Sequence, residues 1–315
     1  MIKKQSFWLK KVKPIYVLAP MAGVTDGAFR QICLKSGADA VYSEMASVTA
    51  LNFAPDKTLA LVRADKIEKP YIVQLFGSKP EHFTVATKLI SKKIKPDGID
   101  INFGCPVKKV QKQGAGAILM TDFNLSYKVI ASVIDNTNLP VSIKIRARSG
   151  EVDCLKFLDK MKNLKIAAVM IHGRTLAQGH SGTVDWQIIK EARSHFNGII
   201  LANGGVVGKE SADELLEKTG ADGLGIARGA LGRPWIFEEV KREKLKAKSR
   251  EEIFKIAFMH AHLAEKLKGK AGIIEMRKHL CWYVTGMEGA SELRKKLIQV
   301  ENLKEIKDIF QQDYK

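Results

Sequence analysis

The 315-residue sequence predicts an α/β fold: a (β/α)8 TIM barrel followed by a small C-terminal helical domain. Three observations carry this. Short apolar runs alternate with helical patterns through most of the chain. The runs are continuous rather than alternating, as parallel strands covered on both faces should be. The rhythm then changes after about Glu239, where a charged connector opens into helical patterns alone.

The predicted strands, in order, are Tyr16–Ala19, Ala40–Ser43, Tyr71–Leu75, Gly98–Ile101, Val141–Lys144, Ala168–Ile171, Ile199–Leu201 and Gly223–Ile226. Helical spacing fills the intervals, for example Glu81–Lys92, Cys154–Lys162 and Ser211–Thr219. Eight βα units over roughly 230 residues match the size of a barrel. A doubly wound sheet would want G-x-G-x-x-G after its first strand, but here that strand runs into Ala19-Pro20-Met21-Ala22-Gly23. Residues 1–240 are therefore read as the barrel. The connector Lys241–Arg250 leads into two or three helical segments, Glu251–Leu267, Gly272–Val284 and Ser291–Ile298, so 241–315 form the helical domain.

Charge is the unusual part of the composition. Lys and Arg number 52 against 34 Asp and Glu, a net charge of +18. Residues 241–315 hold 18 of those basic residues and 11 acidic ones, so the short tail is about twice as basic per residue as the rest. Such a field draws polyanions, and a basic helical domain on an enzyme barrel suggests a nucleic-acid clamp. The four cysteines, Cys33, Cys105, Cys154 and Cys281, show no C-x-x-C spacing. Three of them read as buried small hydrophobes. The N-terminal segment Met1–Lys10 is too polar for a secretion signal, and no apolar run approaches the ~20 residues of a membrane span. A cytoplasmic, metal-free monomer with reduced thiols is expected, not engaged with a membrane.

Barrel active sites form at the C-terminal ends of the strands. There the sequence delivers Pro20-Met21-Ala22-Gly23, Gln74, Asn102 with the Gly104-Cys105-Pro106 loop, and Lys144 with Arg146. His172-Gly173-Arg174, Asn203-Gly204-Gly205 and Ala227-Arg228-Gly229 complete the set. So many polar and glycine positions suit a ligand better than stability. Glycines after the last two strands let backbone N–H groups approach a phosphate, and Arg228 could pair with it. The remaining positions would hold the body of a phosphorylated cofactor. Gln74 and Lys144 can bond the pyrimidine edge of an isoalloxazine, and Met21 and Ala22 offer a soft, flat contact.

Cys105, between glycine and proline past a buried strand, reads as an exposed thiol, with Lys108 and Lys109 favouring thiolate and anions alike. A nucleophile would need a base, for which His172 is a candidate; a general acid is equally allowed.

The chain resembles the tRNA-dihydrouridine synthase family, most of all its bacterial B-type branch. The resemblance runs from about residue 14 to 300. It rests on Ala19-Pro20-Met21-Ala22-Gly23-Val24-Thr25-Asp26, on Val73-Gln74-Leu75-Phe76-Gly77 and on Asp100-Ile101-Asn102-Phe103-Gly104-Cys105-Pro106-Val107-Lys108-Lys109-Val110. Lys144-Ile145-Arg146, Ile171-His172-Gly173-Arg174-Thr175, Ala202-Asn203-Gly204 and Arg228 through Phe237 follow in order, and Met276–Leu280 and Tyr283–Gly289 fit the family's helical domain.

The resemblance implies an FMN-binding barrel, NADPH as reductant, and hydride transfer from flavin N5 to C6 of a uracil in tRNA. By the same match Cys105 protonates C5, Asn102 orients the base, and Lys144 and His172 contact the flavin, with Arg174 on the flavin or RNA side; Arg146, Lys108 and Lys109 are expected on the RNA side. A uracil in folded RNA must leave its stack to reach such a pocket. Arg277, Lys278 and Arg294, with Lys295 and Lys296, are the candidate phosphate contacts. Two departures from the family pattern stand out. The glycine expected two residues after Arg146 is delayed to Gly150, and Asn203-Gly204-Gly205 lacks an acid. Two other functions compete: a flavin reductase of a free pyrimidine, of the dihydroorotate dehydrogenase kind, and a non-catalytic RNA-binding protein. A free pyrimidine needs no extended cationic surface, which argues against the first.

Overall fold

The computed structural model describes residues 7–242 and 246–313; Met1–Ser6 of the N-terminal segment and Glu243–Leu245 of the connector lie outside them. The strands are β1 (Ile15–Leu18), β2 (Ala40–Ser47), β3 (Tyr71–Phe76), β4 (Gly98–Phe103), β5 (Val141–Ser149), β6 (Val152–Asp153), β7 (Ala168–Thr175), β8 (Ile199–Asn203) and β9 (Gly223–Ile226). All but β6 pair in parallel, and a β4–β5 pairing closes the sheet. The eight predicted strands are thus the eight staves of a barrel.

Side chains alternate across each strand. Ile99, Ile101 and Phe103 of β4, and Val141, Ile143 and Ile145 of β5, belong to the core shared with the surrounding helices. Their neighbours Asp100, Asn102, Ser142, Lys144 and Arg146 therefore point inward. At the N-terminal end the interior is apolar, built from Ile15, Ala40, Ile72, Ala168 and Ile199 together with Trp8 of the short 3-10 turn Phe7–Lys10. Toward the C-terminal end it becomes polar.

Several strands run past their predicted ends, β5 and β7 by several residues. The polar residues there, Arg146 and Arg174, are buried and hydrogen-bonded, so the ladder continues. The delayed glycine is explained as well. A register shift between Arg146 and Arg148 and a hairpin with β6, turned at Gly150 with φ +54°, absorb the extra residues.

Among the described residues the tail contains four helices: Arg250–Lys268, Lys270–Tyr283, Ala290–Leu297 and Leu303–Gln312, the last beyond the expected two or three. Ser249 and Glu252 form a capping box that starts the first. Phe254, Ala257, Ala261, Met276, Leu280, Leu293 and Ile306 make a core that also takes in Ala28 of the barrel helix Gly27–Lys35. Asp26, the N-cap of that barrel helix, accepts from Phe29 N at 3.0 Å and pairs with Lys268 of the tail at 2.8 Å. Among the cysteines, Cys33 and Cys154 are buried as expected, whereas Cys281 is only half-buried on a tail helix.

The loop after β1 is anchored by a buried cation. Arg30 pairs with Glu68 at 2.5 Å, both side chains essentially without exposure, and donates to the carbonyls of Thr25 and Arg63 at 2.8 Å each. Its guanidinium also lies 4.7 Å from the centroid of the Tyr71 ring. Removing one partner of a buried pair strands the other charge, at a cost of about 3–5 kcal/mol. Arg30→Met should therefore lower stability by about that amount in denaturant unfolding, and Arg30→Met with Glu68→Leu should recover a large part of it.

Candidate active site at the barrel mouth

A cavity of about 650 Å³ opens at the C-terminal ends of the strands. It gathers most of the residues expected from the strand ends, Pro20, Met21, Ala22, Gln74, Asn102, Cys105, Lys144, Arg146, His172, Arg174, Asn203, Gly204, Gly205, Ala227 and Arg228, but not Gly23 or Gly173. Met45, His180, Val206 and Val207 also line it and were not foreseen. Among the described residues, four cationic side chains line the cavity and no carboxylate does.

Cys105 departs from expectation. The residue is buried, at 9% exposure, and lines the cavity from within. Asn102 Oδ1 accepts from Gly104 N at 3.0 Å and Cys105 N at 2.9 Å, while Ala117 N donates to the Cys105 carbonyl at 3.1 Å. Burial pushes the thiol pKa up, and the Val107 backbone N–H, Arg146 and Lys144 oppose that only in part. Lys108 and Lys109 are exposed on the short helix that follows and are not among the groups acting on the thiol. At neutral pH the sulfur therefore carries its proton.

Lys144 reaches Asn203 Oδ1 at 3.0 Å, and Asn203 Nδ2 donates to the Gly225 carbonyl at 2.6 Å. Burial, then repulsion from Arg146, lowers the lysine to about 8. His172 is brought down to about 2, by burial first and then by Lys144, Arg146 and Arg174. Arg174 Nη1 lies 3.3 Å from His172 Nε2. A guanidinium can only donate, so Nε2 accepts and the ring is neutral with its proton on Nδ1. His172 is thus neither an acid nor a free base for Cys105.

Arg146 was expected on the RNA side. Instead it is buried, with Nε on the Gly104 carbonyl at 2.7 Å and Nη1 on the carbonyls of Thr175 and Gly179 at 2.9 and 2.8 Å. It ties the cysteine loop to the loop after β7. Burial of a planar donor fork among carbonyls leaves little of it for a phosphate outside.

Gly204 and Gly205, at φ +117° and +78°, turn the chain where a side chain would be strained, and a Cβ on Gly204 would stand 3.0 Å from the His172 ring. The missing acid in Asn203-Gly204-Gly205 thus leaves bare backbone facing the cavity. Arg228 is exposed and bonds the His180 carbonyl at 2.9 Å.

The tail candidates lie outside the cavity. Arg277 donates to the carbonyls of Val300 and Gln299, Arg294 to that of Ala290, and Lys278 to that of Gly23 in the loop after β1. Lys295 pairs with Glu292. No group of three or more His, Cys, Asp or Glu among the described residues could hold a metal, and none of their helices is long and apolar enough to cross a membrane.

Residues 17–315 match the family model described as dihydrouridine synthase (Dus). The probable tRNA-dihydrouridine synthase 1 of Synechocystis is 33% identical over 304 residues, covering 93% of this chain and 84% of the relative. The tRNA-dihydrouridine synthase B of Pseudomonas aeruginosa is 34% identical over 290 residues, covering 88% and 86%. An old yellow enzyme homologue from Zymomonas mobilis shares the fold with a TM-score of 0.52 at 12% identity, over 76% of this chain and 91% of that one. Barrel, mouth cavity and family match together define a (β/α)8-barrel oxidoreductase. The chain belongs to the dihydrouridine synthase family.

The lowered Lys144 gives a pH test. Between about 8 and the ordinary lysine value of about 10.4, the unfolded chain binds more protons at this position than the folded one, so its contribution to stability rises with pH across that window. Lys144→Met should accordingly raise the melting temperature at pH 7 by roughly 2–4 °C, corresponding to about 1 kcal/mol. By pH 10.5 the gain should vanish in thermal scans.

Proposed function

We propose that this protein is a tRNA-dihydrouridine synthase, reducing the C5=C6 bond of uridines in tRNA with FMN as resident flavin and NADPH as reductant. The observation that carries the reading is a protonated, buried thiol beside a cavity with four cations and no carboxylate, in a chain of this family. The relatives' names supply the RNA substrate.

The cavity fits a phosphorylated flavin. Gly204 and Gly205 leave room and backbone for a phosphate, Arg228 supplies charge, and Met21 and Ala22 offer an apolar wall. Lys144, whose hydrogen-bond partner is an amide, suits the negative charge near N1 of a reduced ring. Bound there, the reduced flavin supplies hydride to C6 of the uracil. Hydride at C6 builds enolate character into the C4 carbonyl and leaves C5 in need of a proton. Cys105 holds that proton at Sγ, because burial keeps the thiol neutral. Neutral His172 offers its Nδ1–H as a donor and adds no charge.

Residues 241–315 are read as the tRNA-binding domain and 1–240 as the catalytic one. Arg277, Lys278 and Arg294 have donors beyond those bound to the carbonyls of Val300, Gln299, Gly23 and Ala290, and Lys108 and Lys109 are exposed on the helix after the cysteine loop. Turning a uracil out of the RNA stack brings it within reach of Cys105.

Three measurements test the reading. The purified protein should be yellow and release FMN, and its affinity for FMN should weaken above pH 8 as Lys144 loses its proton. Cys105→Ala should keep the flavin while losing about 10²–10⁴-fold in single-turnover tRNA reduction. Mapping of dihydrouridine in total RNA, with and without the gene, should show sites that vanish. Loss of no site, or reduction of free uracil or orotate with none of RNA, overturns the proposal.

A further inference from the structure

Asp100 plays no part in the reaction just described, yet it is a carboxylate fully buried inside the barrel, bonded to the cavity-lining Gln74. It sits on β4, in register with Gln74 of β3 and Ser142 of β5, so the three side chains share one inward layer. Asp100 is fully buried. Its Oδ1 accepts from Ser142 Oγ at 2.6 Å and its Oδ2 from Gln74 Nε2 at 2.7 Å. Gln74 Oε1 then accepts from Asn102 Nδ2 at 2.8 Å. Asn102, two residues along the same face of β4, presents Oδ1 to the N–H groups of Gly104 and Cys105.

The direction of every bond in this ladder follows from its ends. A carboxylate accepts only, so Gln74 must turn its NH2 toward Asp100 and its oxygen toward Asn102. Two backbone N–H groups donate only, so Asn102 must turn its oxygen toward the cysteine loop. Each amide therefore has one orientation that satisfies both neighbours; the reverse sets donor against donor. Leaving a buried amide unpaired costs about 1–3 kcal/mol, enough to hold each in place. Burial raises Asp100 to about 6, still below neutral pH, and bonds from Ser142 and Gln74 with the field of Lys144 hold it from rising further.

We infer that Asp100 is a positioning residue: through Gln74 and Asn102 it sets the orientation of the Cys105 loop, and with it the burial of the thiol that protonates the substrate. The inference rests on the reading of Cys105 as the proton donor, but its test does not require that reading to be correct.

The test is alkylation of Cys105 by iodoacetamide in the flavin-loaded protein, followed by peptide mass spectrometry from pH 7 to 10. No RNA is present, so the result stands whatever the enzyme reduces. Asp100→Ala should alkylate at least ~5-fold faster at pH 8, with its midpoint moved down toward the ordinary thiol value of about 8.5. Flavin content should be unchanged, and in tRNA reduction kcat should fall at least ~10-fold with KM within ~3-fold. Asp100→Asn can keep an oxygen toward Gln74 while Ser142 accepts instead of donating, so it should restore the wild-type alkylation profile to within ~2-fold. If the alanine variant does not fold, Asp100→Ser, which keeps a hydroxyl for Ser142 but is too short to reach Gln74, carries the same expectation as alanine. A wild-type thiol profile in the alanine or serine variant overturns the inference. So does an asparagine variant as disturbed as alanine, because the charge of Asp100 and not its accepting oxygen would then be the cause. If the thiol responds as expected while no variant, nor the wild type, reduces RNA, the functional reading fails and the ladder stands.

Discussion

Asn102 has a single side-chain oxygen, and two backbone N–H groups converge on it. That contact decides where the cysteine loop goes. Gly104 and Cys105 follow directly on β4, where their N–H groups would otherwise be left unpaired in a buried turn. With both bound to Asn102, the loop curls back over the strand end. Arg146 then closes it from the other side through the Gly104 carbonyl. A loop held at both its donors and its acceptor is what keeps the thiol under the mouth.

The distribution of charge follows the same logic of pairing. Arg30 is buried with Glu68 and two carbonyls, a closed set that anchors the loop after β1 and serves structure. Lys144 has only an amide oxygen for a partner, and among the described residues no carboxylate lines its cavity. The carboxylate of Asp100 inside the barrel acts on Lys144 through its field but is hydrogen-bonded to Ser142 and Gln74 instead. A buried cation with no directly paired carboxylate is costly, and groups in that state mark functional sites more often than packing does. The two cations lie in one barrel, and their partners separate the closed ion pair of Arg30 from Lys144, which is bound only to an amide oxygen.

The tail is joined to the barrel next to the site rather than away from it. Asp26 caps the barrel helix and holds Lys268, Lys278 bonds the Gly23 carbonyl, and Phe29 stacks on His260 and packs at a tilt against His279, at ring distances of 5.5 and 5.1 Å. Gly23 belongs to the loop whose Met21 and Ala22 line the cavity. One short loop therefore touches both the cavity and the helical domain, which makes the domain's face continuous with the mouth. Basic composition in the tail signalled this arrangement only in outline, because composition carries no direction.

The fold was legible because it depends on local pattern. Continuous apolar runs separated by helical spacing specify parallel strands, and their count and rhythm specify a closed barrel. Most of the cavity's residues were legible too, since strand ends in a barrel converge wherever the strands are parallel, but Met45 and His180 were not. Strand length was not: β5 and β7 extend through Arg146 and Arg174 because tertiary partners satisfy those side chains, and no neighbour in sequence announces such partners. A period-two reading of Gly98-Ile99-Asp100-Ile101-Asn102-Phe103 would have set Asp100 beside Asn102 on the inner face. Its bond to Gln74, from a different strand, would still have been invisible. The sequence by itself determined the barrel, the helical tail and the residue types at the mouth. Only the tertiary structure decided that Cys105 is buried, that His172 is neutral and that Arg146 is a staple. Those states are set by partners and solvent exclusion across strands, and such contacts have no fixed separation along the chain.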